Sequence, residues 1–382
     1  MDGGNKHFLK EDRGGCYTGC LYSMDTTKIL SAILFLGVTA NASAQIYIPD
    51  TRHVNIGVVY PVSSNGRQAQ AYTNCFSLNL LAGLSNAETG LSLAGLSNII
   101  FDSASGVQIA GLSNHIAHRA TGVQIAGLAN SAGCNTGTQV AGFGNFVPGN
   151  SRGVQVAGFA NVTGGNGSVQ VAGFGNLSGC SSGVQVSGFI NKARNVNTQV
   201  GGFINVAKKV KGVQIAGFIN IADSSDYPIA VLNFVRNGEK ALGVTTDETL
   251  TTLLSFRSGG RKLYGIAGLG YNHKGERELA AWEAGLGAHL VSTQRFRLNV
   301  EAAEVGLTDF KHGDWMKSSL RVLPVYRLGH RVELFAGPSF NYVHAKNGQG
   351  EDIVGHYLWS DRNSRSYHGL FFGVTGGIQV GL

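Results

Sequence analysis

The sequence predicts an all-β chain in which a repeat β-solenoid of about ten 15-residue repeats precedes an antiparallel β-barrel of outer-membrane type. Three observations carry this. A short phrase recurs along the middle of the chain, with copies such as Gly-Val-Gln-Ile-Ala-Gly-Leu-Ser-Asn (106–114), Gly-Val-Gln-Val-Ala-Gly-Phe-Ala-Asn (153–161) and Gly-Val-Gln-Ile-Ala-Gly-Phe-Ile-Asn (212–220). Within each copy the hydrophobic pattern has period two, which is strand chemistry. Beyond Asn233 a different grammar begins, of longer segments apolar on one face and polar or small on the other.

Taken in order, residues 1–23 are polar, carry Cys16 and Cys20 and show no apolar periodicity, so they are expected to be a gene-model extension. Residues 24–44 have the form of a signal peptide: Met24, a positive start at Lys28, an apolar run from Ile29 to Ala40 and the small-residue site Ala42-Ser43-Ala44 before Gln45. The run is too short to span a membrane as a helix. Residues 45–77 are expected to hold a first strand, His53 to Tyr60, closed by the turn-forming Pro61–Gly66 stretch.

Residues 78–233 are the repeat region. Aligned on the closing asparagine, the copies end at Asn86, Asn98, Asn114, Asn130, Asn145, Asn161, Asn176, Asn191, Asn205 and Asn220, spaced 12 to 16 residues apart. A unit this short cannot fold alone; each must complete its neighbours. Strict alternation puts Val107, Ile109 and Gly111 on one side and Gln108, Ala110 and Leu112 on the other. The Ala-Gly pair removes side-chain bulk where a neighbouring backbone comes close. The asparagine is expected to form a ladder at a corner, or to serve as a turn former. Two architectures can use such a repeat: a solenoid with one coil per copy, or one large antiparallel barrel with one membrane strand per copy. Antiparallel barrels alternate short turns with longer loops, and the spacings here do not alternate.

Composition limits the partners. The chain has a hydrophobic content of 43% and 56 glycines, without the collagen triplet. Between Leu91 and Asn220 the acidic residue is Asp102, whereas Arg119, Arg152, Lys192, Arg194, Lys208, Lys209 and Lys211 all stand in spacers. A positive stripe along one edge is expected, suited to an anionic surface or glycan, or serving only solubility. Nucleic acid is disfavoured, because the spacers do not interleave aromatic and basic residues. Cys75, Cys134 and Cys180 remain in the mature chain. In a solenoid Cys134 and Cys180 share a corner three rungs apart, roughly 14 Å, too far for a disulfide with each other.

Residues 234–382 are expected to form the antiparallel barrel. Trp282, Ala284, Leu286 and Leu290 alternate with Glu283, Gly285, Gly287 and His289; Phe296, Leu298 and Val300 alternate with Arg297, Asn299 and Glu301. Val332, Leu334, Phe340 and Tyr342 alternate with Glu333, Ser339 and Asn341, and the last strand sets Phe372, Val374, Ile378 and Val380 against Thr375 and Gln379. Tyr271, Trp282, Tyr326 and Tyr342 fall near strand ends, where a membrane interface places aromatics. A soluble barrel would alternate similarly with its apolar face inward.

With these motifs in place the chain resembles the surface-repeat proteins of Gram-negative bacteria. The resemblance covers about Leu78 to Asn233 through the repeat, and the rest more loosely; the chain departs from common outer-membrane grammar in finishing on Leu382 rather than an aromatic. It implies a cell-surface or outer-membrane protein, presenting a repeat surface from a barrel anchored in outer-membrane lipid, and brings no catalytic residues. The alternative is an outer-membrane pore or uptake barrel with the repeats as strands or plug. No catalytic, cofactor or metal site is expected: His115 and His118 lack an acidic or cysteine partner in their spacer, and Lys311-His-Gly-Asp314 has no natural nucleophile beside it. Long β-solenoids that act as enzymes carry carboxylates or basic clusters on a strand face, and this phrase has neither.

Overall fold

The computed structural model describes residues 11–12, 16–17, 50–274, 279–308, 315–329, 331–346, 353–362 and 366–382. The expected signal peptide and most of the preceding segment lie outside these residues. The described chain is nearly all β, a solenoid of about 11 turns and a closed antiparallel barrel of eight strands. By internal packing it divides into two compact units, Met1–Asn195 and Val196–Leu382.

In the first unit each phrase pairs in parallel with the next, in register: Gln108 with Gln124, Gln124 with Gln139, Gln139 with Gln155, and Asn130 with Asn145. Parallel in-register pairing excludes the single large antiparallel barrel, in which neighbouring copies would run in opposite directions. The first strand spans Asp50–Val59 and pairs in parallel with Tyr72–Asn79, so it is already a rung of the solenoid rather than a separate element. The glycine of the Ala-Gly pair sits where expected: a Cβ on Gly142 would lie 2.1 Å from the carbonyl oxygen of Gly127, and one on Gly158 2.1 Å from that of Gly142.

The alternation holds along each strand but not around the corner. Gln108 and Ala110 point inward and Ile109 outward, as period two requires, whereas Leu112 is exposed. The strand ends at Ala110 and resumes at Ser113, so Gly111 and Leu112 form the corner and the two-residue count restarts. Leucines and phenylalanines at this corner stack from rung to rung, with centroids 5.0 Å apart for Phe143 and Phe159 and 4.9 Å for Phe159 and Phe174.

The second unit contains the last rungs and the barrel. Ile204–Val210 pairs in parallel with Ile219–Ser224, which pairs with Leu232–Val235. The barrel strands are β1 (Lys240–Asp247), β2 (Thr251–Gly259), β3 (Leu263–Asn272), β4 (Leu279–Ser292), β5 (Phe296–Thr308), β6 (Trp315–Arg327), β7 (Val332–Lys346) and β8 (Ser366–Gly381). Consecutive strands pair antiparallel, and β1 closes on β8 with Ala241 opposite Gly381 and Asp247 opposite Thr375. The final rung packs on the β2–β3 hairpin: Asn233 donates its backbone N–H to Ser258 Oγ at 3.1 Å. A Cβ on Gly265 would stand 2.2 Å from the carbonyl oxygen of Ala230.

Candidate functional site

Two polar interiors distinguish this molecule, one inside the rungs and one inside the barrel. In the rungs, every closing asparagine from Asn114 to Asn191 is fully buried. From Asn114 to Asn176 the Nδ2 group of each donates to the Oδ1 of the next, at 2.9 Å for Asn114 to Asn130, Asn130 to Asn145, Asn145 to Asn161, Asn161 to Asn176 and Asn176 to Asn191. The same amide donates to a backbone carbonyl of the following rung, as from Asn161 to Val171 O at 2.8 Å. The expected ladder is therefore present, but in the interior just past the corner. These asparagines are not left-handed turn formers: among the described residues the non-glycine with positive φ is Leu250. A second ladder of glutamines runs beside the first, with Gln155 donating to Gln139 at 3.0 Å and Gln185 to Gln170 at 2.8 Å. A primary amide is both donor and acceptor, so stacking at strand spacing lets each satisfy the next. Burial without partners would cost about 1–3 kcal/mol per group.

Near the start of the rungs this chemistry includes a carboxylate that sequence reasoning did not single out. Glu88 is buried and accepts hydrogen bonds at Oε1 from Asn74 Nδ2 (3.0 Å) and Ser77 Oγ (2.8 Å). Burial raises its pKa above the ordinary value, more than these bonds lower it. The folded state thus favours the protonated acid, whose stabilisation is complete below the ordinary pKa and is lost as pH rises through the folded value. Amides of residues 72–94 are expected to show larger protection factors, each rate being referred to the intrinsic rate at its own pH, at pH 4 than at pH 8, and Glu88→Gln to remove that difference by raising protection at pH 8.

The spacer charges do not form one column. Arg119 is in register with Cys134 and Arg152 with Thr136, two positions apart along the rung, and both are exposed. His118 Nδ1 lies 3.1 Å from Asp102 Oδ1, a partner supplied by the preceding rung, and His115 Nε2 lies 2.9 Å from Ser113 Oγ. No group of three or more potential metal ligands occurs among the described residues. Lys311 and Asp314 lie outside them. Cys134 and Cys180 are buried and Cys75 is exposed; Cys134 is disulfide-bonded, though not to Cys180.

The barrel interior is layered. At the end of the long connections Leu253, Leu307, Trp315, Val343 and Phe371 pack with Ile353 into an apolar plug. Below it Lys317 pairs with Asp247. The middle is a network of arginines and glutamates: Arg257 Nε donates to Glu301 Oε1 at 2.9 Å, and Arg321 Nη1 to Glu283 Oε1 at 2.6 Å. Tyr264 Oη donates to Glu301 at 2.9 Å, and its ring occupies the space left by Gly287, where a Cβ would lie 2.1 Å from it. Toward the short connections Arg297 is held by Glu239 and Glu333, with Gln379 donating to Glu333 at 2.6 Å. Glu283, Arg297, Asn299, Glu301, Glu333 and Gln379 were all placed on one face by their alternation, and that face is the lumen. Arg257, Tyr264, Lys317 and Arg321 were not foreseen. The outer face carries Leu242, Leu254, Leu269, Leu320, Phe340, Phe372 and Val374, with Leu269 73% and Phe372 69% exposed. Glu304 interrupts this band and accepts a hydrogen bond from Ser318 at 2.6 Å. No protein-family model matches the chain, and neither the curated proteins nor the solved structures give a significant match.

Proposed function

We propose that this chain is an outer-membrane repeat protein in which the barrel is a lipid-embedded anchor and the solenoid presents a repeat surface in a structural or interaction role. One observation carries the reading: the barrel is inverted relative to a soluble one, with ion pairs inside and leucine, valine and phenylalanine outside. An apolar band of this size left in water would aggregate, whereas in hydrocarbon it is the solvated face. Tyr326 lies near one end of the band, and Tyr271, Trp282 and Tyr342 near the other, suiting two interfaces. The reading agrees with the resemblance to Gram-negative surface-repeat proteins. It assigns outer-membrane lipid as the partner of the band and an anionic or glycan partner to the spacer charges, with no enzymatic activity and no nucleic acid.

The full chain, exported in a Gram-negative host, is expected to sediment with outer membranes and to stay in the pellet after extraction with alkaline carbonate. Release into the supernatant would refute the anchor. In planar bilayers the ion-paired lumen and its apolar plug should pass no ions; a steady conductance would favour the pore.

A further inference from the structure

The last rung of the solenoid is attached to one end of the barrel. The connections 260–262, 293–295 and 328–331 are short, and at this end the chain enters β1 and leaves β8. At the other end 248–250 is as short, whereas 273–278, 309–314 and 347–365 are longer. The last rung, Leu232–Val235, runs directly into the short-turn end and packs on the β2–β3 hairpin there, within one compact unit. Exposed cations crowd this end: Arg236, Arg261, Lys262, Arg295 and Arg331, whose side chains make no ion pair among the described residues. Against them stand Glu239, held by Arg297, and Asp223 and Asp226 on the final rungs.

We propose that this basic collar binds the anionic phospholipid headgroups of the periplasmic leaflet, so that the solenoid lies in the periplasm and the opposite end of the barrel faces outward. The inference rests on the barrel being the lipid-embedded anchor. Two independent features point the same way. Short turns and both chain ends of bacterial outer-membrane barrels lie on the periplasmic side and longer loops outside. Cations just beyond an apolar band are attracted to anionic headgroups, each contributing about a fivefold gain in affinity. The repeat surface is then offered to periplasmic partners rather than to neighbouring cells.

The test uses the full chain in a Cys75→Ser background, carrying either Lys208→Cys in the rungs beside the barrel or Ser360→Cys on the long connection. Both positions are exposed. A membrane-impermeant maleimide is expected to label Ser360→Cys in intact cells and Lys208→Cys only after the outer membrane is permeabilised. The reverse pattern, or labelling of both in intact cells, would overturn the periplasmic placement. If both require permeabilisation and the protein also washes off in carbonate, the anchor itself is wrong; if both require it and the protein stays in the pellet, only the orientation fails. For the collar, the chain in neutral detergent should bind phosphatidylglycerol more tightly than phosphatidylcholine. Joint replacement of Arg261, Lys262, Arg295 and Arg331 by glutamine should weaken phosphatidylglycerol binding by roughly 600-fold, about fivefold for each charge removed. Equal affinity for the two lipids, or no loss in the variant, would overturn the collar's role.

Discussion

Asn161→Asp is expected to unfold the rungs around it, at a cost of about 3–5 kcal/mol near neutral pH, the scale of an uncompensated buried charge. Asn161 is fully buried and donates to Asn176 Oδ1 at 2.9 Å and to Val171 O at 2.8 Å. A carboxylate supplies neither proton and sets its charge against both oxygens, while the donation from Asn145 Nδ2, 2.9 Å in the native ladder, is kept. Urea midpoints of the full chain in detergent, followed by hydrogen exchange of 153–178, measure the loss. The ladder also predicts non-additivity. Asn161→Asp with Asn176→Asp places like charges on adjacent rungs, and the pair should cost about 1–3 kcal/mol more than the sum of the singles. Asn114→Asp with Asn161→Asp, three rungs apart and roughly 14 Å, should add within about 0.5 kcal/mol. Equal behaviour of the two pairs would mean that adjacent amides do not share a ladder.

The second large effect is in the barrel. Arg321→Met removes the cation that Glu283 meets at 2.6 Å and leaves Arg257 as the counter-charge of Glu301. Both arginines and both glutamates are fully or nearly fully buried, so the orphaned Glu283 should destabilise the barrel by about 3–5 kcal/mol. Glu283 keeps one hydrogen bond, from Ser255 Oγ at 2.7 Å, which does not neutralise its charge. Arg321→Met combined with Glu283→Gln should recover much of the loss, because no unpaired charge then remains. The measurement is the fraction folded in lipid vesicles against urea, read by the heat-modifiable band shift on gels. A double variant no better than the single would assign the cost to packing instead of charge.

Much of this was legible in the sequence because repetition and alternation are direct consequences of backbone geometry. The rung spacing predicts in-register stacking, and the alternation in β4, β5, β7 and β8 separates lumen from band correctly. Three features were hidden. The side assigned to Leu112 fails because period two holds only within a strand, and the chain turns at Gly111. The ion pairs join residues far apart in sequence, Arg257 with Glu301 and Lys317 with Asp247, and alternation gives a residue's face but not its partner. Strands β1, β2, β3 and β6 escaped notice: β1 sets only Leu242 and Val244 outward, and in the others Leu253, Ile266, Leu323 and Val325 point inward beside Arg257, Lys317 and Arg321. An interior that mixes apolar side chains with ion pairs along its length blurs the contrast on which the pattern depends. The pairing of His118 with Asp102 was missed for a related reason, since its partner stands one rung away rather than in the same spacer.

The membrane placement of the band is the claim on which the functional reading depends, and collisional accessibility of a spin label tests it most directly. Leu269→Cys or Phe372→Cys, in a Cys75→Ser background and labelled with a nitroxide, would be measured in the full chain folded into phospholipid bilayers. Both native side chains are well exposed on the outer face of the barrel. The account predicts frequent collision with dissolved oxygen, which concentrates in hydrocarbon, and little with a water-soluble nickel chelate. Ready collision with the chelate at either position would place the band in water and contradict the anchor.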